Sequence, residues 1–207
     1  MNNNINSYWG VLLKPTLIKQ GSDTLAIVLP GIAYTLDRVT LEYTSELALK
    51  FGFDLLKVEY GFQVARKDFN VEKEFDIVAK ETLEIVNGAL KDGYKNVVII
   101  GKSVGTCVQN VLNKNIEGHK ITNVYISPIN KTVNMGIERN SLVITGSSDP
   151  LLSKENVEKV EAVDGTELIN FKGANHALNI EKEPIKSLDI QLKIIEYVET
   201  FLKNNLK

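Results

Sequence analysis

Val97-Val98-Ile99-Ile100-Gly101-Lys102-Ser103-Val104-Gly105-Thr106 decides how the chain is read. Four β-branched residues end in Gly-x-Ser-x-Gly. Val97 to Ile100 predict a strand buried on both faces, and the residues after Gly105 predict a helix. A serine between two glycines at a sharp strand-to-helix turn has the form of a nucleophile elbow. Such a serine sits in a strained backbone conformation, and side chains two residues to either side would crowd the turn. The helix then aims its first N–H groups at the place where negative charge develops. The same pattern also fits a glycine-rich turn whose serine is a helix N-cap. The rest of the chain must separate the two.

The chain has 207 residues, 43% hydrophobic and 24% charged, which fits an ordinary globular profile and one domain over residues 1–207. A net charge of −2 with scattered lysines argues against nucleic-acid binding. The single cysteine, Cys107, excludes an intramolecular disulfide and a multi-cysteine metal site. No phosphate loop, dinucleotide fingerprint or metal cluster is visible, so no cofactor and no metal are expected. No secretory signal and no membrane-length apolar run is seen, so a cytoplasmic location without membrane insertion is expected. Nothing in the pattern fixes the oligomeric state.

Outward from Ser103, strand and helix patterns alternate. Tyr8–Leu13 and Thr16–Lys19 predict an antiparallel hairpin at a sheet edge, after a frayed start over residues 1–6. Leu25–Leu29 predicts a buried strand stopped by Pro30-Gly31. A helix is expected from Asp37, as its cap, to Lys50, with Leu41, Leu47 and Phe51 on one face. Phe53–Tyr60 predicts a strand, and Gly61-Phe62 a connector. Glu72–Lys91 predicts a long amphipathic helix. Strands follow at Thr122–Ile126, Ser141–Thr145 and Glu167–Phe171. Helices are expected at Ser153–Ala162 and Ser187–Lys203, the last with Leu188, Leu192, Ile195, Val198 and Leu202 inward. The order predicts an α/β fold: a mostly parallel twisted sheet, flanked by helices on both faces, with ligands at the carboxyl ends of the strands. The link from Ser127 to Asn140 is too short for a large cap domain. Its Met135-Gly136-Ile137 segment suggests a small flap over an open site.

Ser103, Asp149 and His176 each follow the carboxyl end of a predicted strand. In a parallel sheet those ends share one edge, so the three converge. Ser103 suits attack on a carbonyl, His176 the transfer of its proton, and Asp149 the orientation of the imidazole. Asp149 in Ser-Ser-Asp-Pro also fits a plain turn, and His176 a loop histidine bonded to backbone. The only other histidine, His119, lies in a polar turn. Cys107 reads either as a reactive thiol beside the site or, favoured, as a small buried residue.

From about Leu25 onward the chain resembles a small α/β-hydrolase-fold protein, similar to the lid-poor dienelactone hydrolase-like esterases. Gly101-Lys102-Ser103-Val104-Gly105 matches the family's elbow. Gly146-Ser147-Ser148-Asp149 matches its acid loop, and Gly173-Ala174-Asn175-His176 its histidine loop. The order Ser, Asp, His is the family's own. The resemblance implies a serine hydrolase that cleaves a small carboxylic ester or thioester through an acyl-enzyme. A peptidase, amidase or lactone hydrolase would use the same triad. A non-catalytic fold relative acting as a binding module is a third reading.

The resemblance also implies an oxyanion hole built from the Val104 N–H and an N–H of the Pro30-Gly31-Ile32 loop. Ile32 is the first choice and Ala33 the second. The family's usual His-Gly is Pro-Gly here. Thr106 replaces a second glycine, and its hydroxyl is expected to cap locally. Tyr34 and Phe62, with Tyr60, stand near the functional edge and are expected to line the substrate pocket.

Overall fold

The computed structural model describes residues 4–206. Its main sheet has seven strands. Near the N-terminus Ile5–Asn6 (β1) pairs antiparallel with Leu12–Leu13 (β2) in a separate two-stranded sheet. Thr16–Ile18 (β3) instead pairs antiparallel with Asp54–Lys57 (β5) at an edge of the main sheet. The hairpin expected between Tyr8–Leu13 and Thr16–Lys19 is therefore corrected. The turn falls one step earlier, at Tyr8-Trp9-Gly10, where Gly10 takes φ 76°. Lys14-Pro15 then releases the chain to the other sheet. The expectation of a frayed start is corrected at Ile5 and Asn6, and for residues 1–3 it lies outside the described residues.

Thr24–Leu29 (β4) is buried along its whole length, and β5 lies parallel beside it. Between them Val39–Lys50 (α1) starts after Arg38, not at Asp37, whose carboxylate takes the Thr35 hydroxyl instead. The strand expected over Phe53–Tyr60 shortens to Asp54–Lys57. Gly61–Ala65 (α2) is a short helix where a connector was expected. Val71–Leu90 (α3) follows, with the Asn70 side chain accepting from Glu72 and Lys73 N–H at its start.

Asn96–Lys102 (β6), Val104–Asn115 (α4), Lys120–Ile126 (β7), Asn130–Met135 (α5) and Leu142–Gly146 (β8) come next. Lys154–Glu161 (α6), Glu167–Phe171 (β9) and Pro184–Asn205 (α7) complete the order. The sheet order is β3-β5-β4-β6-β7-β8-β9, with every pairing parallel except β3 with β5. Among the described residues no large cap interrupts it. The link after β7 is not a loose flap. Asn110 of α4 donates to the Thr132 and Gly136 carbonyls at 3.0 and 2.6 Å and pins it down.

Alternation along the central strands divides the core into two layers. Leu25, Ile27, Leu29, Val97 and Ile99 pack with Phe75, Val78, Val86 and Val108 of α3 and α4. Ala26, Val28, Val98 and Ile100 pack with Leu41 of α1 and Ile190, Ile194 and Val198 of α7. The expected inward face of α7 is corrected in part. Val198 and Leu202 are buried, but Leu188 and Leu192 are 60% and 58% exposed. The helix carries two apolar series, and the one that meets the sheet is Ile190, Ile194, Val198 and Phe201.

From β4 the chain steps to β5 on one side and then to β6 on the other. That reversal opens a crevice at the carboxyl ends of β4 and β6. The Pro30-Gly31-Ile32 loop leaves β4 there, and Ser103 leaves β6.

Candidate active site

Ser103 adopts φ 55° and ψ −120°, outside the regions open to most L-residues, between strand β6 and helix α4. Its N–H continues the ladder by donating to the Ile126 carbonyl at 3.0 Å. The flanking glycines are required by contact. A Cβ on Gly105 would lie 2.6 Å from the Leu29 and Pro30 carbonyl oxygens. One on Gly101 would lie 2.9 Å from the Gly105 oxygen and 2.5 Å from Gln109 Oε1. The Ser103 side chain makes no cap hydrogen bond to its helix, so the plain N-cap reading fails. The Thr106 hydroxyl does the local bonding, donating to the Ser103 carbonyl at 2.5 Å as expected.

His176 Nε2 lies 2.8 Å from Ser103 Oγ, and His176 Nδ1 lies 2.7 Å from Asp149 Oδ2. A carboxylate only accepts, so Nδ1 carries the proton and Nε2 accepts from the serine. Asp149 Oδ1 accepts the Leu151 N–H at 2.8 Å, which leaves the other oxygen for the histidine. The acid and histidine loops are pressed together. A Cβ on Gly146 would meet the Ala174 oxygen at 2.2 Å, and the Ser148 N–H donates to that same oxygen. Asn175 Oδ1 accepts the Ala177 and Asn179 N–H groups at 2.9 and 3.1 Å, shaping the turn that carries His176.

The β4 loop lies directly over the serine. A Cβ on Gly31 would sit 3.1 Å from Ser103 Cβ. The Gly31 N–H is taken by the Tyr34 carbonyl, so the next N–H in line is that of Ile32. Val104 opens α4 immediately after the serine. The other expected neighbours divide. Tyr34 stands at the site, its hydroxyl 2.7 Å from Thr40 Oγ1 and its ring 5.0 Å from Lys102 Nζ. Phe62 is corrected. It is 3% exposed and stacks on Phe69 at 4.3 Å, within a core that also holds Trp9 and Tyr60. Its helix turns it inward, where a connector would have left it free.

Cys107 is fully buried against Thr132 Oγ1, and burial pushes its thiol up, away from a reactive thiolate.

Two residues escaped the sequence reading. Gln63 of α2 donates from Nε2 to the Gly31 and Ile32 carbonyls at 2.9 and 3.2 Å, bracing the β4 loop. Nothing in its local sequence marks it. Lys102 is 1% exposed, and its Nζ donates to the His176 carbonyl at 2.6 Å. Its signal was present, because Val98, Ile100 and Lys102 alternate on one face of a buried strand. Burial pushes the Lys102 amine down to about 7, with the Asp149 charge opposing.

The strand order and the helices around the sheet are shared by solved structures of the α/β-hydrolase fold. An esterase of Pyrococcus furiosus superposes with a TM-score of 0.67 at 20% identity, covering 97% of this chain and 90% of its own. The chain has the α/β-hydrolase fold. A lid-less α/β serine hydrolase from Xanthomonas campestris matches with a TM-score of 0.71 at 12% identity, over 97% and 92% of the two chains. An α/β serine hydrolase homologue from Coxiella burnetii matches at 0.61 and 13% identity, over 94% and 95%. Neither a protein-family model nor a curated protein sequence matches the chain. Within this α/β-hydrolase fold, among the described residues, no helix is long and apolar enough to cross a membrane, and no cluster of metal-ligating side chains occurs.

Proposed function

We propose that the protein is a serine hydrolase that cleaves a small carboxylic ester or thioester. The observation that carries the reading is the continuous chain Ser103 Oγ, His176 Nε2, His176 Nδ1, Asp149 Oδ2, with links of 2.8 and 2.7 Å. In this reading Ser103 Oγ attacks the substrate carbonyl as His176 Nε2 takes its proton. The Asp149 carboxylate stabilises the imidazolium that forms. The new oxyanion lies against the Val104 and Ile32 N–H groups. His176 then protonates the leaving alcohol or thiol, and an acyl group stays on Ser103. Water, deprotonated by His176, attacks the acyl-enzyme and frees the acid and the serine.

The open site and the lid-less and esterase neighbours favour small ester and thioester substrates. A groove of about 670 Å³ next to the site, not lined by Ser103 or His176 themselves, runs beside Tyr34 and Ala177, with Val39, Ile180, Pro184 and Leu188 along it and the charged Arg38, Glu181, Lys182 and Glu183 at its sides. Such a surface suits an acid or alcohol with an apolar part. The test is hydrolysis of p-nitrophenyl acetate and butyrate, an acyl thioester and an acyl anilide by the wild type and Ser103→Ala. Ester and thioester turnover well above the anilide, with loss of about 10³-fold or more in Ser103→Ala, is the expected result. Equal rates in the two proteins would overturn the reading.

A further inference from the structure

We infer that Thr40 and Gln191 are positioning residues. With Tyr34 they tie the loop that carries His176 to the loop that lies over Ser103, and so hold the base and the oxyanion donor in one arrangement. The inference rests on the proposed reading, in which His176 moves the proton and the Ile32 N–H meets the oxyanion.

One line of hydrogen bonds joins the two loops through α1 and α7. Gln191 of α7 donates from Nε2 to the Leu178 carbonyl at 3.1 Å, just beyond His176 in the chain. That carbonyl fixes the amide: the nitrogen faces Leu178, and Oε1 is left to accept. Thr40, near the start of α1, donates its hydroxyl proton to Gln191 Oε1. That proton is then spent, so the Tyr34 hydroxyl, 2.7 Å away, donates to Thr40 Oγ1. The Thr40 N–H closes the link by donating to the Tyr34 hydroxyl oxygen at 3.3 Å. At the far end the Tyr34 carbonyl accepts the Gly31 N–H at 2.9 Å. The side-chain donors all point one way, from Tyr34 through Thr40 and Gln191 to Leu178, and such a chain strengthens its own members.

Both ends are held against strain or crowding. Leu178 takes φ 61°, a conformation that a leucine keeps only where its surroundings impose it. Gly31 is packed so closely that a Cβ there would sit 3.1 Å from Ser103 Cβ and 3.2 Å from Tyr34 Cβ. In between, Thr40 is fully buried and Gln191 is 6% exposed, so water does not replace a lost partner. Thr40 makes no hydrogen bond to the triad and does not line the groove, so it reaches the reaction only through the two loops.

Amide hydrogen exchange on the wild type, Thr40→Val and Thr40→Ser tests the tie without a substrate. Valine keeps the shape and removes the link, and serine keeps the hydroxyl. In Thr40→Val the Gly31 and Leu178 N–H groups, one on each side of the break, should both exchange roughly tenfold faster. Val98 and Ile99 in β6 should keep their rates, and Thr40→Ser should restore both loops. A merely structural threonine would speed all of these amides alike, and that result overturns the inference. So does a response confined to one loop. If Thr40→Val does not fold, Gln191→Met cuts the line at the next residue. It should speed Gly31 exchange, although no hydrogen bond joins Gln191 to Gly31, and an unmoved Gly31 overturns the inference. With p-nitrophenyl acetate, Thr40→Val should lose about tenfold in kcat with KM within about twofold, and Thr40→Ser should recover it. An unchanged kcat in folded Thr40→Val overturns the positioning role. Coupled exchange in a protein that hydrolyses no ester would remove the proposed activity and leave the tie standing. Independent exchange of the two loops in an active enzyme would do the reverse.

Discussion

Gln63 braces the carbonyl of Gly31. The amide nitrogen donates at 2.9 Å to Gly31 and at 3.2 Å to Ile32, from a helix on the far side of the loop. The two carbonyls are thereby held toward α2. A backbone donor cannot be deleted by side-chain mutation, so this brace is where the loop is vulnerable. Gln63→Leu should lower kcat/KM for an ester by roughly ten- to a hundredfold, mainly through kcat. Steady-state kinetics with circular dichroism as the folding control checks it. A fall confined to KM would argue against an oxyanion role for the loop.

Gly105 faces the backbone of the same loop from the other side. Adding a methyl group there forces a contact of 2.6 Å with the Leu29 and Pro30 oxygens, and backbone yields poorly. Gly105→Ala should lose about 1–3 kcal/mol of stability by urea unfolding, together with most activity. A variant of unchanged stability and activity would show that the two segments separate easily.

Asp149 holds the histidine proton that fixes the tautomer. Asp149→Asn offers an amide N–H in its place and favours the wrong tautomer, with Nδ1 accepting. The expected loss in kcat is about 10³–10⁴-fold with little change in melting temperature. A loss below tenfold would mean that another acid serves His176.

Asp54 makes a separate prediction, about stability. Burial opposes its charge, but the Gln20 and Ser22 N–H groups and the Tyr94 hydroxyl, at 2.7, 3.1 and 2.7 Å, together hold the carboxyl below its ordinary value. A carboxyl lowered in the folded state stabilises the fold above the unfolded value. That contribution is lost as the pH falls through the folded value. Asp54→Asn should therefore cost about 1–3 kcal/mol at pH 7, and the deficit should shrink below about pH 4. Urea titrations at pH 7 and pH 3 check it. A deficit independent of pH would locate the effect in packing.

The parallel sheet was legible because its strands are long, β-branched and separated by helices of clear period. The convergence of Ser103, Asp149 and His176 was legible because each follows the carboxyl end of a parallel strand. Short elements were not. Ile5–Asn6 and Leu12–Leu13 are two residues each, too short for any period, and their pairing is set by Trp9 and Leu13 entering the core. Phe62 was misplaced because the five-residue helix that buries it leaves no pattern. In α7 the series Leu188, Leu192 and Ile195 competes with Ile190, Ile194 and Val198, and only docking against the sheet decides between them. Gln63 acts through a distant backbone segment, 32 residues away, which local sequence does not encode.

The central claim is that Ser103 is the nucleophile. A fluorophosphonate probe, followed by intact mass and peptide mapping, tests it without knowledge of the substrate. The wild type should gain one adduct, carried by the peptide that contains Ser103, and Ser103→Ala should gain none. An adduct that persists in Ser103→Ala, or a wild type that stays unlabelled while a control esterase reacts, would contradict the account.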